Sequence, residues 1–188
     1  MTQTRIPAAL ALASLLALSA CSTQAPVGEP AETTAPQTST TSNSGYPITI
    51  EHALGTTVLE EKPERVATVA WANHEVPLAL GVVPVGMAAA NFGDDDGNGT
   101  LPWVEEALEG LGAETPVLFD ETDGIDFEAV DATDPDVILA GYSGLTQEDY
   151  DTLSQIAPVV AYPNGPWETS WRDLILLNSA GIGMAAEG

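Results

Sequence analysis

The sequence predicts an α/β fold, a parallel β-sheet flanked by helices, on two observations. The segment Arg65–Gly86 contains a β-branched run, a helical stretch that ends at Gly81, and a second apolar run at Val82–Val85. Two such runs joined by a helix are typical of a β-α-β unit, whose strands are parallel. The same alternation of apolar runs and helical patterns continues to the end of the chain.

The other elements are predicted in order along the chain. Alternating, β-branched residues predict a hairpin from Ile48–His52 and Thr56–Leu59. Short apolar runs predict strands at Val117–Phe119, Val137–Ala140 and Val159–Tyr162. Helical patterns predict helices at Thr100–Leu111, Asp126–Ala132 and Thr146–Ile156, and a last helix from Trp171 that still runs near Gly188.

Capping residues predict where several helices begin. Asn73 is predicted to cap the first helix and Thr100 the second. In the second helix Trp103, Ala107, Leu108 and Leu111 are expected to face inward. Two later caps are predicted in the same way, at Asp126 and at Thr169 or Ser170.

The residues before Tyr46 are predicted to direct export and membrane attachment rather than to be part of the folded domain. Residues 1–20 have a basic start, an apolar core and small residues at the exit, which predicts a lipoprotein signal peptide. The exit Leu18–Cys21 resembles a bacterial lipobox, so Cys21 is predicted to be lipidated, and the alternative is a buried thiol. The Ser/Thr/Pro-rich residues 21–45 are predicted to form a disordered tether, which leaves the protein extracytoplasmic and anchored to the membrane by lipid.

The charge balance restricts the ligands. The chain has 28 acidic against 4 basic residues and a formal net charge of −24. Nucleic acid is excluded as a partner, because phosphate binding needs a basic surface. A large anionic ligand is disfavoured for the same reason, so neutral or cationic ligands are expected.

An ordered set of short motifs resembles a known family. These motifs are Ile50–Thr57, Pro63–Val66, Trp71–Glu75, Leu78–Val82, Pro84–Gly86, Phe127-Glu128, Pro135–Ile138 and Tyr150–Pro158. In order and spacing the set resembles the ferric-siderophore (iron-complex) substrate-binding lipoproteins of ABC transporters. The resemblance covers Tyr46 to Gly188.

This resemblance implies a two-lobed binding protein whose lobes are joined by one long helix. Residues 46–168 would be the N-terminal lobe and residues 169–188 the start of the connecting helix, so the sequence is expected to be a fragment that lacks the second lobe. Ligand would lie between the lobes, and a monomer would deliver it to an ABC permease with its ATPase.

The resemblance also implies the site residues. Ligand-binding positions would lie in loops at the carboxyl ends of strands, at Trp71, Asn73, Asn91, Phe92, Tyr142, Ser143 and Trp167. Glu128 would dock onto arginines of the permease, unless it is an ordinary solvated carboxylate. Since no candidate loop contains an arginine, the expected ligand is a neutral or cationic ferric hydroxamate.

A calcium loop is the one metal site that the sequence predicts. The spacing from Asp94 to Glu105 fits the EF-hand pattern, with ligands expected at Asp94, Asp96, Asn98, Thr100 and Glu105. An acidic, glycine-rich turn gives the same composition without binding metal. A structural calcium ion is therefore expected here as one of two alternatives, and no other cofactor is expected.

Other functions remain as alternatives. A related cargo, cobalamin or haem, would suit the same fold, and a truncated remnant without transport activity would have the same sequence. An α/β hydrolase is disfavoured because the sequence has no Gly-x-Ser-x-Gly elbow and no cysteine outside the lipobox. The chain is therefore predicted not to be an enzyme.

Overall fold

The structure, a computed structural model, describes residues 45–188. The predicted signal peptide, the lipidation site Cys21 and nearly all of the predicted tether lie outside the described residues. The central feature is a five-stranded parallel sheet, which confirms the predicted fold class. Its strands are β3 (Val66–Thr68), β4 (Gly86–Ala88), β5 (Val117–Phe119), β6 (Val137–Ala140) and β7 (Val159–Ala161).

A two-stranded hairpin precedes the sheet, as the alternation of residues predicts. Strands β1 (Ile48–His52) and β2 (Gly55–Leu59) pair antiparallel, with Ile50 opposite Thr57. Buried and exposed residues alternate along the hairpin, with Ile50, His52, Thr57 and Leu59 buried. Of these, Ile50 and Leu59 pack into an apolar cluster with Val66 and Val160 of the sheet.

Among residues 45–188, four helices connect the strands of the sheet and a fifth follows the last strand, so that both faces of the sheet are covered. The helices are α1 (Glu75–Ala79), α2 (Pro102–Leu111), α3 (Phe127–Ala132), α4 (Gln147–Leu153) and α5 (Trp171–Gly181). Two of the predicted caps are confirmed, because the side chain of Asp126 accepts from the N–H of Ala129 and that of Ser170 accepts from the N–H of Asp173. Within the described part of the chain, no helix combines the length and the apolar character that crossing a membrane requires.

The core lies on both sides of the sheet. Strands β3, β6 and β7 are buried along their whole length, as expected for parallel strands covered by helices. Ala67, Ile138 and Val159 contribute to one apolar cluster, and Val66, Leu139 and Val160 contribute to the cluster on the opposite face.

Two predicted elements differ from the structure near the middle of the chain. The second sheet strand is Gly86–Ala88 rather than Val82–Val85, because the chain turns after Gly81 and enters the sheet only where Gly86 pairs with Ala67. Helix α1 is capped at His74 without a side-chain bond, since the amide of Asn73 is used elsewhere.

The second helix also differs. Helix α2 has Leu101 as its N-cap and Pro102 as its first residue, so the prediction of Thr100 as the cap is wrong. Trp103 and Leu111 are exposed, contrary to the prediction, whereas Leu108 is buried as predicted. Val104 is buried as well, and Ala107 packs against the same apolar cluster.

The later helices end sooner than predicted. Helix α4 stops at Leu153, and α5 stops at Gly181 instead of continuing toward Gly188. At Gly183 the backbone has a φ of 68°, a left-handed conformation that cannot continue an α-helix.

The order of the strands positions the site. The sheet order is β5-β4-β3-β6-β7, so the chain first moves outward from β3 to β5 and then crosses over to β6 on the other side of β3. Connections leave in opposite directions at β3 and β6, and such a switch point opens a crevice at the carboxyl ends of these strands.

Candidate ligand-binding site

A cleft of about 330 Å³ lies at the carboxyl edge of the sheet. All five strands contribute loops to it: Ala70 and Trp71 after β3, Ala88, Ala89 and Asn91 after β4, Glu121, Gly124 and Ile125 after β5, Gly144 and Leu145 after β6, and Trp167 after β7. The lining is mostly small or apolar, with two indole rings. Residues from the carboxyl ends of all five strands thus lie around one cleft.

Two tryptophans form the aromatic part of the cleft. Trp71 and Trp167 are 37% and 51% exposed, so each ring presents a large face to solvent. Trp167 has a φ of 61°, and its N–H donates to the carbonyl of Ser143 at 2.9 Å, which holds the β7 loop against the β6 loop. A Cβ on Gly144 would lie 2.8 Å from Cε2 of the Trp167 indole, so only glycine allows the ring to pack this closely.

Asn73 holds the two loops at the switch point together. Its Nδ2 donates to the carbonyl oxygens of Val69 at 2.7 Å and Tyr142 at 3.0 Å, and its Oδ1 accepts from the N–H of Tyr142 at 3.0 Å. The residue is fully buried. Asn73 is therefore a positioning residue in this structure. The sequence analysis predicts that its side chain faces the ligand, but the side chain is buried and bonded to the two loops.

Other predicted positions divide in the same way. Ser143 is fully buried and its Oγ donates to the carbonyl of Ala140 at 2.8 Å, so its hydroxyl is also structural. Asn91 is exposed and lines the cleft. Phe92 is 79% exposed and does not line the cleft. Tyr142 contacts Trp167 edge-to-face, with 5.3 Å between the ring centroids.

Glu121 is the ionisable residue of the cleft, and the sequence analysis did not predict it. Its Oε2 accepts from the N–H of Ala70 at 2.9 Å, and Oε1 is buried without a partner among the described residues. Burial raises the pKa of this carboxyl to about 7, and the nearby Asp126 acts in the same direction. Its place directly after the strand Val117–Phe119 could have revealed it, because the other cleft residues also follow strands.

Basic side chains of the described residues lie elsewhere. The Arg65 side chain donates to the carbonyls of Thr133 and Asp134, which precede β6 and hence lie at the opposite edge of the sheet. The guanidinium of Arg172 stacks on Trp171 at 4.1 Å. Lys62, the third basic residue, precedes β3 at the same opposite edge. The cleft therefore has no cation within its own lining.

The loop predicted to bind calcium is organised by its own hydrogen bonds. Oδ1 of Asp94 accepts from the N–H of Gly97 at 2.8 Å, and Oδ2 accepts from that of Gly99 at 2.7 Å. Nδ2 of Asn98 donates to both Asp96 and Glu105, and the Thr100 hydroxyl donates to Glu105 at 3.0 Å. Among residues 45–188, no three His, Cys, Asp or Glu side chains are grouped to hold a metal ion. Calcium binding here stays a prediction.

Glu128 lies apart from the cleft. It is exposed in the first turn of α3, three residues after the cleft residue Ile125. It is accessible to a partner at the same end of the molecule as the cleft. Docking through Glu128 also stays a prediction.

A parallel sheet with a cleft at its carboxyl edge is an arrangement typical of α/β proteins that bind ligands. The chain belongs to the periplasmic binding protein family, whose pattern matches residues 66–183.

Known relatives include proteins of iron uptake. The crystal structure of PiaA from Streptococcus pneumoniae TIGR4 in complex with ferrichrome is 56% identical in sequence, with a TM-score of 0.73, and the match covers 74% of this chain and 46% of that one. A periplasmic solute binding protein from Mycobacterium smegmatis is 33% identical, with a TM-score of 0.66, and covers 74% and 48% of the two chains. A Bacillus subtilis (strain 168) protein named as a probable siderophore-binding lipoprotein, YfiY, is 27% identical over 141 residues, 74% of this chain and 40% of that protein. The chain thus spans less than half the length of these relatives.

Proposed function

We propose that this chain captures a ferric siderophore outside the cytoplasm, with a preference for neutral or cationic ferric hydroxamates, and does not act as an enzyme. The observation that carries this proposal is the cleft with two half-exposed tryptophans and no basic side chain in its lining. The relative PiaA, whose solved complex contains ferrichrome, supports the same class of ligand.

The aromatic walls support a bulky organic chelate. Indole rings bury a large area on binding and lose little conformational entropy, so they are suited to the apolar outer surface of an iron chelate. Trp71 and Trp167 come from loops on opposite sides of the switch point, so a ligand seated between them contacts both halves of the sheet.

The charge of the cleft supports the preference for hydroxamates. Anionic ferric catecholates need compensating cations, and none of the basic residues Lys62, Arg65 and Arg172 lines the cleft. The one titratable group of the lining, Glu121, is acidic. Neutral and cationic complexes do not need a cation in the cleft.

Tryptophan fluorescence of the full-length gene product tests this function. Ferrichrome, a neutral ferric hydroxamate, is expected to quench the emission saturably, and an anionic ferric catecholate is expected to bind at least about tenfold more weakly. Metal-free ferrichrome and ferric citrate serve as controls for the ligand. Absence of saturable quenching by any ferric siderophore would refute the proposal.

Three of the four tryptophans provide matched variants. Trp71→Ala and Trp167→Ala should each weaken ferrichrome binding by about tenfold or more, as expected for aromatic residues central to a site. Trp103→Ala removes an equally large exposed ring that lies outside the cleft, on α2, and should leave the affinity unchanged. Equal effects of all three changes would contradict the assignment of the cleft.

Delivery of the ligand is proposed to use Glu128 as a contact for an ABC permease with its ATPase. Glu128→Ala should keep the affinity for ferrichrome and slow ferrichrome uptake by cells that carry the permease. Asp131→Ala, an exposed change on the same helix, is the control. Equal uptake by both variants would count against docking through Glu128.

The membrane anchor is proposed to be a lipid on Cys21. Cys21→Ser should move the protein from the membrane fraction to the medium or the periplasm. Retention in the membrane by the variant would rule this anchor out.

A further inference from the structure

Glu121 lines the cleft and binds the backbone of a neighbouring residue that has a left-handed conformation. It follows β5 and lines the cleft beside Ala70, Gly124 and Ile125. One oxygen, Oε2, accepts from the N–H of Ala70, a residue with a left-handed φ of 59°. Few non-glycine residues adopt this conformation, and they occur disproportionately at functional sites.

The second carboxyl oxygen has no partner. Oε1 is buried and accepts no hydrogen bond within the described part of the chain. A buried polar atom of this kind is costly unless something else pairs with it. The other lining residues are neutral, so no cation in the cleft compensates the charge of the carboxylate.

We propose that Glu121 determines the charge selectivity of this cleft, because the negative charge of its carboxylate attracts cationic ferric complexes and repels anionic ones. This inference rests on the proposed function, since it assigns to one residue the preference that the cleft as a whole supports. Among the described residues that line the cleft, Glu121 is the one with an ionisable side chain.

A purely structural role for Glu121 predicts something different. The carboxylate would then serve only to hold the N–H of Ala70, and glutamine would replace it without consequence for ligand choice. Glu121→Gln retains an oxygen that accepts from Ala70 and removes the charge, so it separates the two roles.

The test compares the wild type with Glu121→Gln, both as full-length gene products, at pH 8. Dissociation constants are measured for ferrichrome (neutral), ferrioxamine B (cationic) and an anionic ferric catecholate. In Glu121→Gln the ratio of catecholate to ferrichrome dissociation constants should fall by about tenfold, and the affinity for ferrioxamine B should fall. Glu109→Gln is the control, because this exposed residue lies near the end of α2, at the edge of the sheet opposite the cleft.

A pH series on the wild type makes the test independent of how the variant folds. Burial raises the pKa of Glu121 to about 7, so the discrimination against the catecholate should weaken from pH 8 to pH 6. Asp126 is the charged group that acts on Glu121, and the cleft residues from the β3, β4, β6 and β7 loops carry no titratable side chain. The variant should show no such weakening.

The outcomes separate the two proposals. If ferrichrome binds but the ratio is the same in wild type and Glu121→Gln, the inference about Glu121 is overturned and the proposed function stands. If none of the three complexes binds to the wild type, the proposed function fails, and the inference fails with it.

Discussion

Replacing Asn73 by alanine tests whether one buried amide holds the two loops of the switch point. The side chain makes three short hydrogen bonds, to the carbonyls of Val69 (2.7 Å) and Tyr142 (3.0 Å) and from the N–H of Tyr142 (3.0 Å). Alanine leaves these backbone groups buried without partners. Each such loss costs about 1 to 3 kcal/mol, and entry of water into the vacated space lowers the sum, so we expect a total near 3 kcal/mol.

Urea unfolding of the full chain at pH 7, followed by tryptophan emission, measures this loss. Asn73→Asp has the same shape but places an oxygen where Nδ2 donates, so it should be destabilised at least as much and should recover partly at acidic pH. Asn91→Ala, at an exposed asparagine of the same cleft, should change the free energy of unfolding by less than about 0.5 kcal/mol. A loss below about 1 kcal/mol for Asn73→Ala would refute the reasoning.

Three further predictions concern the core, the cleft and the acidic loop. Gly86→Ala should destabilise the fold by about 2 kcal/mol in urea unfolding, because its Cβ would overlap the fully buried ring of Phe119, and a neutral result would mean that the ring moves freely. Burial raises the pKa of Glu121 from 4.5 to about 7, so the folded chain holds this proton more tightly than the unfolded chain. The stability that the bound proton contributes at pH 4 is therefore lost as the pH rises through 7. The free energy of unfolding of Glu121→Gln, relative to that of the wild type, should therefore rise by about 3 kcal/mol between pH 4 and pH 8. A difference that does not change with pH would contradict the burial of the carboxylate. If the loop Asp94–Glu105 binds calcium, millimolar Ca²⁺ should raise the melting temperature, and Asp94→Asn should abolish this shift. The absence of any heat of binding in calorimetry would contradict the predicted calcium site.

The strands were predictable where branched apolar residues form them. Val137–Ala140 forms an interior strand, between β3 and β7, as its composition predicts. Strand β4 was not predictable in this way, since Gly86 has low strand propensity. Its place is explained by a tertiary contact, because the ring of Phe119 fills the space that a side chain at Gly86 would occupy.

The site was predictable as a set of loops but not residue by residue. That Trp71 and Trp167 lie in strand-end loops follows from the alternation of elements along the chain. The role of Asn73 does not, because its partner Tyr142 is 69 residues away and lies beside it only when β6 pairs with β3. Ser143 was misassigned for a similar reason, since its hydroxyl bonds within its own turn.

Helix α5 is hydrogen-bonded to the loop that carries Asn73. Nδ2 of Asn178, buried in α5, lies 3.3 Å from the carbonyl oxygen of Asn73 and 3.2 Å from its Oδ1. If α5 tilts, it must either break these bonds or carry the Asn73 loop with it, and Trp71 is two residues along that loop. A change in the tilt of α5 would therefore be transmitted through Asn73 to the wall of the cleft that carries Trp71.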